Sequence, residues 1–232
     1  MKTIGLIGGM SWESTALYYR EINLLVKQRL GGLHSARLVL FSVDFHEIEQ
    51  LQQQGRWEEA GEILAHAARA LQSAGADFLV LCTNTMHKVA DAITASLDVP
   101  LLHIADATAQ EAHAQGLKRI GLLGTRFTME QPFYRERLEA SGLEVLVPDE
   151  ADRELIHRVI YSELCLGVVR DESRADYLAI IERLQQRGAQ AIVLGCTEIG
   201  MLVAEGDCTV PLLDTTRIHA ERAVDRAVGP AA

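Results

Sequence analysis

No stretch of this 232-residue sequence approaches the run of roughly 18 apolar residues that a membrane span requires. No apolar leader with a cleavage site opens the chain; Met1-Lys2-Thr3-Ile4 passes straight into a strand-like segment. A soluble, cytoplasmic protein is expected. Positive charge is short, with 22 Lys and Arg against 32 Asp and Glu and a formal net charge of −10. That balance argues against nucleic acid and against an anionic membrane surface as partners. An anionic substrate would have to be held by local donors. Four cysteines (Cys82, Cys165, Cys196, Cys208) occur without a CxxC pair, so no disulfide framework is expected in a reducing compartment. The first glycine-rich turn lacks the GxGxxG order, because Leu6 and Ile7 separate Gly5 from Gly8, and it lacks the Lys-Ser/Thr of a P-loop. No low-complexity segment or linker divides the chain.

What is present is a second copy of the first half. Gly75-Ala76-Asp77-Phe78-Leu79-Val80-Leu81-Cys82-Thr83-Asn84-Thr85 lies without a gap on Gly188-Ala189-Gln190-Ala191-Ile192-Val193-Leu194-Gly195-Cys196-Thr197-Glu198. Cys196 thus falls 113 residues after Thr83. Lys2–Gly8 recurs as Lys118–Gly124 at an offset of 116, and Val99-Pro100-Leu101-Leu102 recurs as Val210-Pro211-Leu212-Leu213 at an offset of 111. A period near half the chain is too long for a solenoid and implies two lobes of ordinary domain size.

Short apolar runs (Ile4–Ile7, Leu38–Val43, Phe78–Leu81, Ile120–Leu123, Ile192–Leu194) alternate with amphipathic stretches such as Trp57–Ser73, Glu130–Ala140 and Arg174–Arg187. Strands without in-out alternation are buried on both faces, and helices between them imply parallel sheets with right-handed crossovers. The expected class is α/β: two pseudo-twofold-related Rossmann-like lobes, each a short parallel sheet flanked by helices, with an active site in the cleft between them. Residues 1–103 plus 214–232 form the first lobe, completed by the C-terminal helix, and residues 104–213 form the second. Gly75, Gly116, Gly142 and Gly188 sit where helices should stop.

Ligands of open parallel sheets bind beyond the carboxyl ends of the strands. Four such ends are polar here: Gly8-Gly9-Met10-Ser11, Thr83-Asn84-Thr85, Gly124-Thr125-Arg126 and Cys196-Thr197-Glu198. Gly8-Gly9 reads either as a tight strand-to-helix turn or as an anion site at a helix N-terminus. Cys165 and Cys208 read as small buried hydrophobes. Cys196 differs, standing at a strand end before a helix start, where the helix terminus is expected to lower its pKa. Cys82 is one residue out of register with Cys196; the shift turns its side chain to the other face and into the core. The spacing of His87 and His103 with Cys82 matches no common zinc pattern, and no metal is expected. His87, four residues beyond Thr83, is expected to orient the threonine loop. Glu198 reads as an acid or base, or as a favourable charge at a helix N-terminus.

These motifs resemble the aspartate/glutamate racemase family. Thr83-Asn84-Thr85-Met86-His87 is similar to its first signature, Cys/Thr-Asn-Thr-x-His, and Gly195-Cys196-Thr197-Glu198 to its second, Gly-Cys-Thr-Glu. Ile4-Gly5-Leu6-Ile7-Gly8-Gly9-Met10-Ser11-Trp12-Glu13-Ser14 is also family-like, so the resemblance spans essentially the whole chain. It is closest to the broad-specificity amino-acid racemases and L-aspartate/glutamate racemases. The resemblance implies a racemase of amino acids, aspartate, glutamate or a broader set, that needs no pyridoxal phosphate or other cofactor, and usually a homodimer. It also places Met10 and Gln52 near the substrate. Many family members carry a cysteine on each side of the substrate, and this chain has Thr83 in place of one.

The expected chemistry is proton transfer at Cα, with Cys196 as thiolate base on one face and Thr83 as proton donor, or holder of a donating water, on the other. The hydroxyls of Thr85, Thr125 and Thr197 and backbone N–H groups suit the α-carboxylate and the charge developing beside it, and Ser11 and Glu198 are further substrate-binding candidates. Asn84, which both donates and accepts, suits carboxylate or ammonium. Arg126 or Arg56 would serve an acidic side chain, or each is a solvated surface charge. Two other functions stay open: a single-cysteine decarboxylase or diacid isomerase of this architecture, and a catalytically silent amino-acid-binding protein.

Overall fold

The computed structural model describes residues 1–95 and 97–229. The chain forms two compact units, Met1–His103 together with the chain from His219 on, and Ile104–Ile218. The first unit runs β1 (Ile4–Gly8), α1 (Trp12–Leu30), β2 (Leu38–Ser42), α2 (Phe45–Gln53), α3 (Trp57–Ser73), β3 (Phe78–Leu81), a 3-10 turn (Thr85–Val89), α4 (Ala90–Thr94) and β4 (Leu101–Leu102). The second runs α5 (Ile104–Ala114), β5 (Arg119–Gly124), α6 (Arg126–Glu130), α7 (Pro132–Ala140), β6 (Glu144–Leu146), α8 (Glu150–Ser162), a 3-10 turn (Leu164–Leu166), α9 (Asp171–Gln186), β7 (Ala191–Gly195), α10 (Ile199–Leu202) and β8 (Leu212–Asp214). The last helix, α11 (Thr215–Val228), starts in the second unit and continues into the first.

Each unit holds one four-stranded sheet, ordered β2-β1-β3-β4 in the first and β6-β5-β7-β8 in the second. All pairings are parallel. The repeat is therefore a repeat of topology as well as of sequence, and the α/β class with two parallel sheets is as expected. Central strands β1, β3 and β7 are buried throughout, as continuous apolar runs should be. The run Leu38–Val43 departs from that expectation: its strand is an edge, and Leu40 is 42% exposed. An edge strand has one neighbour and less helix over it. Its counterpart β6 is too short to announce itself in the sequence.

Both sheets carry the same close helix-to-strand approach. A Cβ on Gly5 would lie 2.6 Å from Leu79 Cδ2 and 2.8 Å from Ala76 Cβ, with Leu71 of α3 behind. A Cβ on Gly121 would lie 2.6 Å from Ile192 Cδ1 and 3.1 Å from Leu184 Cδ1, with Leu184 drawn from α9. The four predicted helix stops hold, with Gly75, Gly116, Gly142 and Gly188 at φ of 91°, 70°, 93° and 95°. The expected helix over Glu130–Ala140 is instead broken at Gln131, which is extended at φ −86°, ψ 150°. Pro132 causes the break: it disfavours helical backbone in the residue before it and itself sits comfortably at the first position of α7.

In the first unit α11 is fastened to the sheet by a buried histidine. His219 Nε2 lies 2.9 Å from the Leu102 carbonyl oxygen, and its Nδ1 lies 2.8 Å from Tyr18 Oη. A carbonyl only accepts, so Nε2 carries the hydrogen and Nδ1 accepts from the tyrosine hydroxyl. Burial holds this imidazole neutral and lowers its pKa to about 4.

Two predictions follow from this packing. Gly121→Ala must push Ile192 or Leu184 aside; a loss of about 1–3 kcal/mol in urea unfolding is expected for such overpacking, and an unchanged midpoint would contradict the close approach. His219 is charged below pH ~6.5 in the unfolded chain but stays neutral to about pH 4 when folded, so unfolding takes up a proton in that window. Its stabilisation is complete above pH ~6.5 and falls by about 3 kcal/mol on acidification to pH ~4. A His219→Gln variant, less stable at neutral pH, is expected to lose less over that interval; parallel stability curves would overturn the assignment.

Candidate functional site

In both sheets the chain reverses its winding direction at the central pair, β1/β3 and β5/β7, and a crevice opens beyond the carboxyl ends of such a pair. The polar strand ends lie there. Register makes them equivalent: Ile7 pairs with Leu81 and Leu123 with Leu194, and Thr83 and Cys196 each stand two residues beyond. Each is 8% exposed, at the margin of its core.

In the first unit the turn after β1 is tied down by Thr15. Its hydroxyl accepts the Gly9 N–H at 2.8 Å and donates to the Ser11 carbonyl at 2.8 Å. Ser11 caps α1, its Oγ accepting the Ser14 N–H at 3.2 Å. Thr15 escaped the sequence reading, although a hydroxyl residue one helical turn after a capping serine is a legible signal. After β3 the Cys82 N–H extends the ladder to the Ile7 carbonyl, and the Thr83 N–H turns back to the Leu81 carbonyl, both at 2.9 Å. Asn84 and Thr85 follow, 2% and 5% exposed. His87 Nδ1 lies 2.8 Å from the Thr83 carbonyl oxygen, so His87 does orient the threonine loop. Cys82 is fully buried among Tyr18, Ile22, Phe78, Val80 and Ala220, and burial alone drives its thiol pKa far upward. The one-residue register shift thus puts it in the core. Gln52, on α2, donates its amide to Met86 Sδ at 2.9 Å, and Met10 packs in the same apolar cluster as Met86.

In the second unit Thr125 caps α6, accepting the Thr128 N–H at 3.3 Å. The centre of this end is a buried acid. Glu198 is 2% exposed, and its Oε2 accepts from the Cys196 thiol at 3.0 Å and from the Thr197 hydroxyl at 2.7 Å. Its side chain makes no capping bond to α10. The expected lowering of the Cys196 pKa is therefore reversed. Burial raises it well above the usual thiol value, and the Glu198 carboxylate raises it further. A helix terminus contributes roughly 0.3–1 kcal/mol, below one pKa unit, while α10 is a single turn of 4 residues. Burial and a neighbouring anion each outweigh that. Cys196 rests as a thiol whose proton already points at a base.

The two cations differ. Arg56 is held in a two-pronged pair with Glu59 on the surface. Arg126 is exposed at the end of β5, its backbone N–H donating to His157 Nδ1 at 3.2 Å. Burial, reinforced by the Arg126 charge, keeps the His157 pKa below its ordinary value. Each unit thus gathers its own part of the expected set: Met10, Ser11, Gln52, Thr83, Asn84 and Thr85 in the first, and Thr125, Cys196, Thr197 and Glu198 in the second. Among the described residues no cluster of three or more His, Cys, Asp or Glu could hold a metal ion, and no helix is long and apolar enough to cross a membrane. A surface cavity of about 820 Å³ bordered by Leu178, Glu182, Cys208 and Thr209 includes none of these strand-end residues.

The chain belongs to the Asp/Glu/hydantoin racemase family, which it matches over residues 7–223. It is 23% identical to the broad specificity amino-acid racemase RacX of Bacillus subtilis (strain 168), over 95% of this chain and 96% of that one. Among crystal structures it resembles a Yersinia pestis protein assigned as an Asp/Glu racemase, with 58% identity, TM-score 0.92, and coverage of 98% of this chain and 100% of the other. An aspartate racemase homologue from Pyrococcus horikoshii OT3 matches with 34% identity and TM-score 0.85, covering 98% and 99%.

Replacing Glu198 by Gln keeps an acceptor near the thiol and removes the charge. Cys196 is then expected to titrate at lower pH than in the parent, followed by thiolate absorbance with a Cys196→Ala variant as the blank. An unchanged or raised titration would refute the electrostatic reading.

Proposed function

We propose that the protein interconverts the enantiomers of an amino acid, aspartate, glutamate or a broader set, by moving the Cα proton between Cys196 and Thr83 without pyridoxal phosphate. The observation that carries this reading is the equivalence of Thr83 and Cys196 at matching strand ends, with the Cys196 thiol bonded to Glu198. Transfer of the thiol proton to Glu198 Oε2 leaves a thiolate that takes the Cα proton from one face. The thiol is thereby re-formed, Thr83 delivers a proton to the opposite face and recovers its own from water, and Glu198 releases to water the proton it took, which restores the starting state. Hydroxyls of Thr85 and Thr125, with neighbouring backbone N–H groups, hold the α-carboxylate and the charge that develops beside it, while the Thr197 hydroxyl is committed to Glu198. Thr83 is a weak acid and a worse base, so its contribution rests on placement rather than on pKa.

A second reading has an observation in its favour. With Cys82 in the core, the threonine half presents no thiol at its strand end, and a decarboxylase needs only one stereospecific proton donor. CO₂ release from a substituted malonate separates the two.

Cα exchange in deuterated water tests the proposal. Cys196→Ala or Cys196→Ser is expected to slow exchange by ~10²-fold or more, the range of general acid–base contributions; exchange at the parental rate would remove Cys196 from the chemistry. Thr83→Cys supplies a competent acid and base and is expected to speed turnover by about tenfold. An unchanged rate would count against Thr83 facing the substrate.

A further inference from the structure

A cluster of imidazoles stands behind Thr83 that the proposed chemistry does not use. His87 (2% exposed) comes from the 3-10 turn, His103 (6%) follows β4, and His219 (0%) lies on α11. The His87 and His103 rings are 4.4 Å apart between centroids and tilted by 59°. His219 approaches His87 edge-on at 6.0 Å. His219 is itself locked, donating to the Leu102 carbonyl and accepting from Tyr18. At the front of the cluster, the Thr83 carbonyl can only accept from His87 Nδ1 at 2.8 Å, so the hydrogen sits on Nδ1. The Thr83 N–H is bonded to Leu81, and the Thr83 backbone is thereby held from both sides.

The second half of the chain supplies an internal control. The residue matching His87 is Gly200 and the one matching His103 is Asp214, by the same offsets that align Thr83 with Cys196 and Leu102 with Leu213. These two are also neighbours, since a Cβ on Gly200 would lie 3.0 Å from Asp214 Oδ2. The repeat thus keeps the contact and changes its chemistry. The thiol half orients its Cys196 with Glu198, whereas the threonine half has a rigid aromatic brace.

We infer that His87, braced by His103 and by the His219–Tyr18 pair, is a positioning residue for Thr83. It holds the threonine loop so that a weak proton donor sits within the narrow distance that transfer tolerates, where a misplacement near 1 Å can cost ~10²-fold. This rests on the proposed role of Thr83 as donor to the face opposite Cys196. Its consequence is selective. Loosening Thr83 leaves deprotonation by Cys196 intact and impairs only delivery to the other face. The intermediate then recaptures a solvent-derived proton from Cys196, giving exchange with retention in place of inversion.

The test has two arms. In deuterated water, starting from the enantiomer that Cys196 deprotonates, His87→Leu is expected to lower the ratio of inversion to retained exchange about tenfold or more. His87→Asn, whose side-chain N–H falls near the imidazole Nδ1, is expected to restore that ratio to within about threefold of the parent. Equal losses of exchange and inversion in His87→Leu, or no change in either, would overturn the inference. The second arm is nitrogen NMR of the imidazoles in the parental protein, independent of activity. The Nδ1–H tautomer is expected at His87 and the Nε2–H tautomer at His219; an Nε2–H tautomer at His87 overturns the inference. If the parent shows no Cα exchange with any amino acid, the donor role of Thr83 falls, while the tautomer still decides whether His87 holds that loop.

Discussion

Parallel strands cannot be joined by tight turns, so each must be followed by a helix that crosses back over the sheet. In the order β2-β1-β3-β4 the crossings leave the first strand on one side and return on the other. The carboxyl ends of β1 and β3 are therefore the place in this sheet where two adjacent turns diverge. The same holds at β5 and β7. The candidate residues at the strand ends depend on this constraint, because it separates a polar strand end from an apolar interior a residue or two away. Cys82 and Thr83 show how sharp that boundary is: one side chain is sealed in the core, and the next stands at its margin.

Duplication explains why the residues that support the sites recur as well. Gly5 and Gly121 occupy matching positions because α3 and α9 press on the sheets at the same height, through Leu71 and Leu184. The packing of a helix on a strand at such distances sets where the strand ends, and hence where the following turn begins. The apolar contact survives a change of residue, with Leu79 in one half and Ile192 in the other. Thr83 against Cys196, His87 against Gly200, and His103 against Asp214 all differ while the strands beneath them keep register.

Much of this was legible before any coordinate. Continuous apolar runs give the buried strands, glycines give the helix stops, and the repeat gives the equivalence of Thr83 with Cys196. The core placement of Cys82 followed from the two-residue period of a strand. What escaped reading depends on neighbours far away in sequence or on competing local effects. The exposure of Leu40 reflects its edge position, which no local pattern encodes. The helix break at Gln131 was encoded, in Pro132, but the amphipathic stretch around it masked the signal. The Cys196 pKa went the other way because a short helix turn is a small effect beside burial and a buried carboxylate.

That reversal recasts the asymmetry of the pair. A thiol that rests protonated beside Glu198 is a proton donor as it stands, and it becomes a base only when the carboxylate takes its proton. In the proposed reaction, Thr83 is confined to donation or to holding a water. The two ends thus differ less in how they give a proton than in how they take one. Free enantiomers have equal energy in water, so whatever is lost at the threonine end must be reflected equally in kcat/KM for both directions. The inequality of the two acids can appear only in kcat and KM separately, in how tightly each enantiomer is held and how long it waits. A rigid mount for the weaker donor is a physical means of limiting that wait, since placement contributes to the rate without requiring a lower pKa.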